Sequence, residues 1–307
     1  MGLLINGQWH ADEPATGNGG FKHKESAFRH WITADGSSDF KAEPNRYHLY
    51  ISLACPWASR TLIFRKLKKL EDIISLSIVD PIVKDNGWAF SENAGCIPDT
   101  ISNKTYLYEV YTQADPAYTG RVTVPVLWDK KNYTIVNNES SEIIRMFNSE
   151  FKAFTEESPD YYPQKLRDEI DKMNDFVYTH INSGVYKCGF ATQQEAYDTA
   201  YDALFEAIET LEEHFSKNDF LVGNQTTEAD WRLFTTLIRF DAVYHNLYKC
   251  NKARLIDYEY CHEYLLRLYN IPGISDTVNM EHIKQHYFIS QKSINPTQIV
   301  PKGPEII

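Results

Sequence analysis

The spacing of apolar and polar positions divides the chain into a mixed first half and a helical second half. The run Tyr47-His-Leu-Tyr-Ile-Ser-Leu53 is rich in β-formers and mostly apolar on both faces, the pattern of a strand buried inside a sheet. Directly after it, Ala54-Cys-Pro-Trp-Ala58 leads into Ser59 to Leu70, where Leu62, Ile63, Lys66, Leu67 and Leu70 recur at helical spacing. Proline suits the first turn of a helix, because its missing N–H would have no partner there. Ile73 to Val79 reads as a second strand, so the three pieces predict a parallel β-helix-β unit with a right-handed crossover.

Further on, 81–118 is a long segment with a turn at Asp85-Asn-Gly87 and a helix around Leu107 to Gln113. Val122 to Trp128 then predicts a strand, Asp129 to Asn132 a turn, and Tyr133 to Val136 its antiparallel partner. Proline does not sit easily inside a strand; either Pro125 lies at a sheet edge or a cis bond between Val124 and Pro125 reconciles it with the pattern. Ser140 to Phe151 follows as an amphipathic helix, and the polar, proline-containing stretch Lys152 to Pro163 marks a domain boundary. Beyond it, Leu166, Ile170, Met173, Val177 and Ile181 form one apolar stripe, and Ala200, Leu204, Ile208, Leu211 and Phe215 another. Thr227-Glu-Ala-Asp230 has the hydroxyl and carboxylates of a helix start, with more helix to about Tyr269 and again near His282. The expected organisation is an irregular extension over 1–45, a first domain over 46–152, an all-helical domain over 163–290 and a tail over 291–307.

Composition narrows the function. The chain has 307 residues, 43% of them hydrophobic, and a formal net charge of −11. At that length folding hides roughly 75% of the unfolded surface, so no disulfide framework is required, and the five cysteines lack regular spacing. The acidic balance disfavours nucleic acid, which needs clustered Lys and Arg. The only dense basic run, Arg65 to Lys69, reads as a solvated helix face. No stretch approaches the roughly 18 apolar residues that span a bilayer, and Met1 to Glu13 has no signal-peptide pattern, so a cytoplasmic protein without membrane attachment is expected. Gly17-Asn-Gly-Gly20 has neither a preceding strand nor a following helix, which argues against a phosphate loop. His282 and His286 are spaced as two metal ligands would be, but no Glu or Cys completes a site, so no metal is expected.

Candidate chemistry centres on Cys55. A cysteine between a buried strand and the first turn of a helix lies among unpaired amides at the positive end of the helix dipole, a setting that lowers a thiol from about 8.5 into the range of roughly 3.5 to 7.5. Cys96, Cys188, Cys250 and Cys261 carry no such context and read as structural. A Cys-x-x-Cys enzyme resolves its mixed disulfide with the second cysteine, but that position holds Ala58. Cys55 must then be resolved by an external thiol such as glutathione.

Cys55-Pro-Trp-Ala58, together with Gly87-Trp-Ala-Phe90, Gly120-Arg-Val-Thr-Val-Pro-Val-Leu-Trp128 and Asn138-Glu-Ser140, resembles the cysteine-type glutathione transferases and most closely their Xi class, the glutathionyl-hydroquinone reductases. The resemblance runs from about Trp31 to Phe288. It implies an α/β thioredoxin-like N-terminal domain, an all-α C-terminal domain, glutathione as co-substrate, and a homodimer whose interface differs from that of most glutathione transferases. It also implies that Glu139 holds the glutathione ammonium, Ser140 and its amide the γ-glutamyl carboxylate, and Arg121 a carboxylate, while Trp88 packs on the tripeptide and the Val124 backbone pairs with its cysteinyl unit. Tyr186 and Tyr287 would hydrogen-bond the hydroxyls of an aromatic hydroquinone conjugate. Tyrosine is abundant, at 20 residues, and offers flat surfaces with polar tips for such a ligand.

The implied reaction is attack of the Cys55 thiolate on the glutathione sulfur of the conjugate, protonation of the departing ring carbon, and release of glutathione disulfide by a second glutathione. Two rival readings share parts of this pattern. A general thiol transferase or dehydroascorbate reductase would keep Cys55 without the aromatic site. A non-catalytic binding module of the same fold would have no use for an activated thiol.

Overall fold

The computed structural model describes residues 2–11, 26–155 and 158–304, which fall into two compact units. The first holds the described residues of 2–11, 26–159 and 277–286, and the second those of 160–276 and 287–304.

At the centre of the first unit is a four-stranded sheet. Residues 1–45, expected to be irregular, instead contain four short strands: β1 (Leu3–Ile5), β2 (Gln8–His10), β3 (Ile32–Thr33) and β4 (Phe40–Lys41). Strands of two or three residues show no periodicity, and their pairing partners are not visible in the sequence. Gly17-Asn-Gly-Gly20 lies outside the described residues. The buried strand is β5 (Tyr47–Ile51), inaccessible at all five positions, and α1 (Pro56–Leu67) follows with Pro56 in its first turn. Next come β6 (Ser75–Ile78), α2 (Leu107–Ala114), β7 (Gly120–Arg121), β8 (Val126–Asp129), β9 (Thr134–Asn137) and α3 (Ser140–Ser149).

The central sheet has the order β6-β5-β8-β9, with β5 parallel to β6 and antiparallel to β8. The parallel pair is the β-helix-β unit that the apolar runs predict. The strand expected over Val122 to Trp128 begins only at Val126, because Pro125 offers no N–H to a ladder; the Val124–Pro125 bond is cis. Arg65 to Lys69 is not a solvated face: Lys68 is 2% exposed and donates to the Pro159 carbonyl at 2.7 Å, and Arg65 donates to that of Ile74 at 2.7 Å. Arg46 closes one end of the sheet, its guanidinium bonding both oxygens of buried Asp129 at 2.9 and 2.6 Å across the Tyr47/Asp129 register.

The second unit is helical: α4 (Arg167–Phe176), α5 (Gly184–Gly189), α6 (Gln194–Phe215), α7 (Glu228–Arg239), α8 (His245–Leu247) and α9 (Glu259–Tyr269). A last helix, α10 (Met280–Ser290), gives its early residues to the first unit and Tyr287 onward to the second. Two π-helical stretches, Val177–Asn182 and Phe240–Tyr244, interrupt the α-helices. In the first predicted stripe Ile170, Val177 and Ile181 are buried while Leu166 and Met173 are half-buried; the five residues of the second are all buried. Thr227 starts α7 in a reciprocal cap, its amide and hydroxyl both donating to Asp230 at 2.7 and 2.9 Å. No helix among the described residues is long and apolar enough to cross a membrane.

Candidate active site

Cys55 is the residue at which strand and helix meet. It occupies the N-cap of α1 with extended backbone, φ −76° and ψ 122°, and its carbonyl accepts the first helical bond, from Ser59 N at 3.0 Å. The half-buried side chain does not cap the helix; Sγ lies 3.9 Å from the carbonyl oxygen of Val124, the residue before the cis proline. The thiol therefore sits in the field of the helix start and beside a backbone carbonyl, without consuming a helix amide. Burial pushes the thiols of Cys96, Cys250 and Cys261 up, which keeps them protonated and unreactive.

Helix α3 packs against α1 and brings Glu139 and Ser140 to the same unit. Glu139 is the N-cap of α3, and one of its oxygens accepts from the Ser141 amide at 3.1 Å and hydroxyl at 2.9 Å. The other oxygen accepts from the Ser26 hydroxyl at 3.1 Å. Burial raises this carboxyl, but the Ser141 amide and hydroxyl, the Arg60 charge and the Ser26 hydroxyl outweigh it and hold Glu139 below the usual range, so it is ionised. Ser140, at the first helical position, is buried and its hydroxyl is 3.4 Å from Nη1 of Arg60. Arg60 was not singled out in the sequence. It is 3% exposed, lies 4.5 Å over the Trp57 ring, and stands in a continuous buried run from Ala58 to Phe64. A lone cation in such a run is the signal that marks it.

Two other candidates of this unit are anchored by separate elements. Arg121 belongs to β7, which pairs with β1 through Leu3, and its carbonyl accepts from the Tyr118 hydroxyl at 3.1 Å. Trp88 is 5% exposed, its carbonyl takes the Leu107 amide at 2.9 Å, and its indole stacks on the His286 imidazole, ring centres 4.9 Å apart and planes at 18°. His282 and His286 point at backbone carbonyls, those of Ala94 at 2.7 Å and Pro81 at 2.9 Å. Among the described residues no group of three or more His, Cys, Asp or Glu side chains could hold a metal ion.

In the helical unit Tyr186 and Tyr287 meet, hydroxyl to hydroxyl at 2.5 Å. Tyr244, not singled out among the tyrosines, adds its hydroxyl to that of Tyr287 at 3.0 Å, and the Tyr248 ring packs edge-on to Tyr287 with centres 5.8 Å apart. Each phenol has one proton and two acceptor lone pairs, so the central Tyr287 can donate to one neighbour while accepting from the other. Burial raises Tyr287 well above the ordinary phenol range, its neighbours Tyr186 and Tyr244 raise it further, and Arg239 only partly counteracts them. The cluster is thus a neutral chain of hydrogen-bond donors, suited to bonding a phenolic oxygen or passing a proton to one.

Comparison with known proteins shows the family of the chain. The glutathione S-transferase N-terminal domain model matches residues 54–150 and the C-terminal domain model residues 194–267. Glutathionyl-hydroquinone reductase YqjG of Escherichia coli K12 is 53% identical over 99% of this chain and 95% of its own length, and PcpF of Sphingobium chlorophenolicum, of the same description, is 50% identical over 99% and 96%. The glutathione-bound structure of YqjG has a TM-score of 0.92 at 52% identity, covering 99% of this chain and 96% of that one. A Xi-class glutathione transferase from Natrialba magadii has a TM-score of 0.94 at 44% identity, covering 99% and 93%. With a thioredoxin-like half, a helical half and relatives of this similarity along its whole length, the chain belongs to the glutathione transferase family, in its Xi class of glutathionyl-hydroquinone reductases.

Proposed function

We propose that this protein reduces S-glutathionyl-hydroquinones to hydroquinones with glutathione as co-substrate, through a mixed disulfide on Cys55. The observation that carries the reading is the position of Sγ: at the N-cap of α1 and 3.9 Å from the Val124 carbonyl before a cis proline. That backbone edge can pair with the cysteinyl unit of glutathione as an added strand and so bring the substrate sulfur to the thiolate. Glu139 would hold the ammonium, Ser140 and its amide the γ-glutamyl carboxylate, Arg121 the second carboxylate, and Trp88 the face of the peptide. Arg60 would keep Ser140 and Glu139 in place.

The Cys55 thiolate attacks the glutathione sulfur, the sulfur–sulfur bond forms as the carbon–sulfur bond breaks, and the ring carbon takes up a proton. Tautomerisation of the hydroquinone to a keto form weakens the bond that breaks, and Tyr186, Tyr287 and Tyr244 supply hydroxyls for that proton transfer. A second glutathione thiolate then attacks the Cys55 mixed disulfide, releasing glutathione disulfide and restoring Cys55. We assign 46–152 to the glutathione-binding domain and 163–290 to the acceptor domain, and propose a homodimer in the cytoplasm.

The test is mass spectrometry of protein incubated with a glutathionyl-hydroquinone and no added glutathione. A glutathione adduct on Cys55 with an equal amount of hydroquinone released is the expected result. Reduction of simple mixed disulfides without reduction of the conjugate would identify a general thiol transferase instead, and absence of any adduct would identify a binding module.

A further inference from the structure

We propose that His286 is a positioning residue for glutathione, acting through Trp88; the inference rests on the reading that Trp88 packs against the bound tripeptide. The His286 ring lies almost parallel to the Trp88 indole, 4.9 Å between centres and 18° between planes, and covers one of its faces. Its Nδ1 is 2.9 Å from the Pro81 carbonyl oxygen. A carbonyl only accepts, so Nδ1 carries the proton and the ring is fixed in both position and tautomer.

Four residues earlier on α10, His282 does the same with its other nitrogen, Nε2 lying 2.7 Å from the Ala94 carbonyl. The segment from Pro81 to Ala94, which carries Trp88 midway, is therefore fastened to α10 near both ends. That segment contains no helix or named strand, and its other ties, such as the Leu107 amide on the Trp88 carbonyl and the Phe90 amide on that of Thr105, hold the main chain while the imidazole holds the indole itself. An indole clamped this way is already ordered when the peptide arrives, and a wall residue that need not be immobilised on binding gives tighter binding for the same contact.

Affinity for glutathione, together with KM and kcat for the conjugate reaction, should be measured for His286→Ala, His286→Phe, His286→Asn, Trp88→Ala and the Trp88→Ala/His286→Ala pair. The rate of Cys55 alkylation by iodoacetamide reports on the rest of the unit. His286→Ala should weaken glutathione about 3- to 10-fold through KM, with kcat and alkylation within about twofold, because ordering one side chain corresponds to roughly that factor. His286→Phe keeps the stacked ring and His286→Asn keeps a donor near Nδ1, so each should recover part of the loss. In the Trp88→Ala background, removing His286 should add nothing.

If His286→Ala leaves affinity unchanged while Trp88→Ala weakens it, the inference falls and the glutathione site stands. If Trp88→Ala itself leaves affinity unchanged, the role of Trp88 falls, and this inference with it. A loss in which kcat and alkylation drop together with affinity, or one that persists without Trp88, would make His286 merely structural and overturn the proposal.

Discussion

Replacing Tyr287 by Phe tests the aromatic half of the proposed site. The change deletes one oxygen and, with it, two hydrogen bonds, to Tyr186 at 2.5 Å and to Tyr244 at 3.0 Å. Each is worth about 0.5–1.5 kcal/mol net, so the variant should lose about 1–3 kcal/mol of stability. The catalytic effect is separable from that cost. A positioned proton donor contributes on the order of 10²–10⁴ in rate, so kcat/KM for a glutathionyl-hydroquinone should fall at least about 100-fold. Reduction of a simple mixed disulfide, which needs Cys55 and a second glutathione but no carbon protonation, should change less than about threefold in the same folded preparation. Equal losses on the two substrates, or no loss on the conjugate, would refute the role given to the hydroxyl chain. Ionisation adds a second check. Because Tyr287 is raised in the folded protein, its contribution to stability is fully present below the ordinary phenol value of about 10 and declines above it, so Tyr287→Phe should soften alkaline unfolding and leave the pH–rate profile unchanged below that value.

Other perturbations address the remaining parts. Cys55→Ser should abolish turnover of both substrate types and prevent any glutathione adduct, measured by steady-state rates and intact-mass analysis; residual activity above about one part in a hundred, less than the usual cost of losing a nucleophile, would contradict the mechanism. Glu139→Gln should raise KM for glutathione about 10- to 100-fold, the worth of a charge-assisted bond. Because Glu139 is held below the usual carboxylate range, its stabilising effect persists above the ordinary value of about 4.3 and is lost as pH falls through the lower folded value, so affinity should stay flat between about pH 5 and 8 on its account. His48, whose nitrogens lie 2.8 and 3.0 Å from the Ser75 and Ser77 hydroxyls, is pushed down to about 3 chiefly by burial. It must enter the fold neutral, so stability should be full above about pH 6.5 and fall by a few kcal/mol as pH drops toward 3, with His48→Asn flattening that decline in thermal melts.

What the sequence makes legible follows from how local the signal is. Strand, Cys-Pro and helix onset are contiguous, so β5, Cys55 and α1 could be read directly, as could the α7 cap from a hydroxyl three residues before a carboxylate, whereas the conflict of Pro125 with a strand pattern left an edge position and a cis bond both open. Features that depend on distant partners were not readable. Leu3 pairs with Arg121, Lys68 is sealed by a carbonyl 91 positions away, and Trp88 meets His286 across most of the chain. Tyr244 carries no local mark among 20 tyrosines. Only the fold brings its hydroxyl to that of Tyr287.

The two π-helical stretches have a further consequence. One, Val177–Asn182, leads into the helix that carries Tyr186, and the other, Phe240–Tyr244, ends at Tyr244. A wide turn accommodates one residue more than an α-turn, so everything after it is rotated by about 100° relative to an uninterrupted helix. The meeting of these phenols is thus set by the winding of the helices as much as by residue identity. Rewinding either stretch as regular α-helix with no residue removed would turn its tyrosine to another side, so a substitution that only tightens the wide turn would take the aromatic cluster apart while leaving every one of its side chains intact.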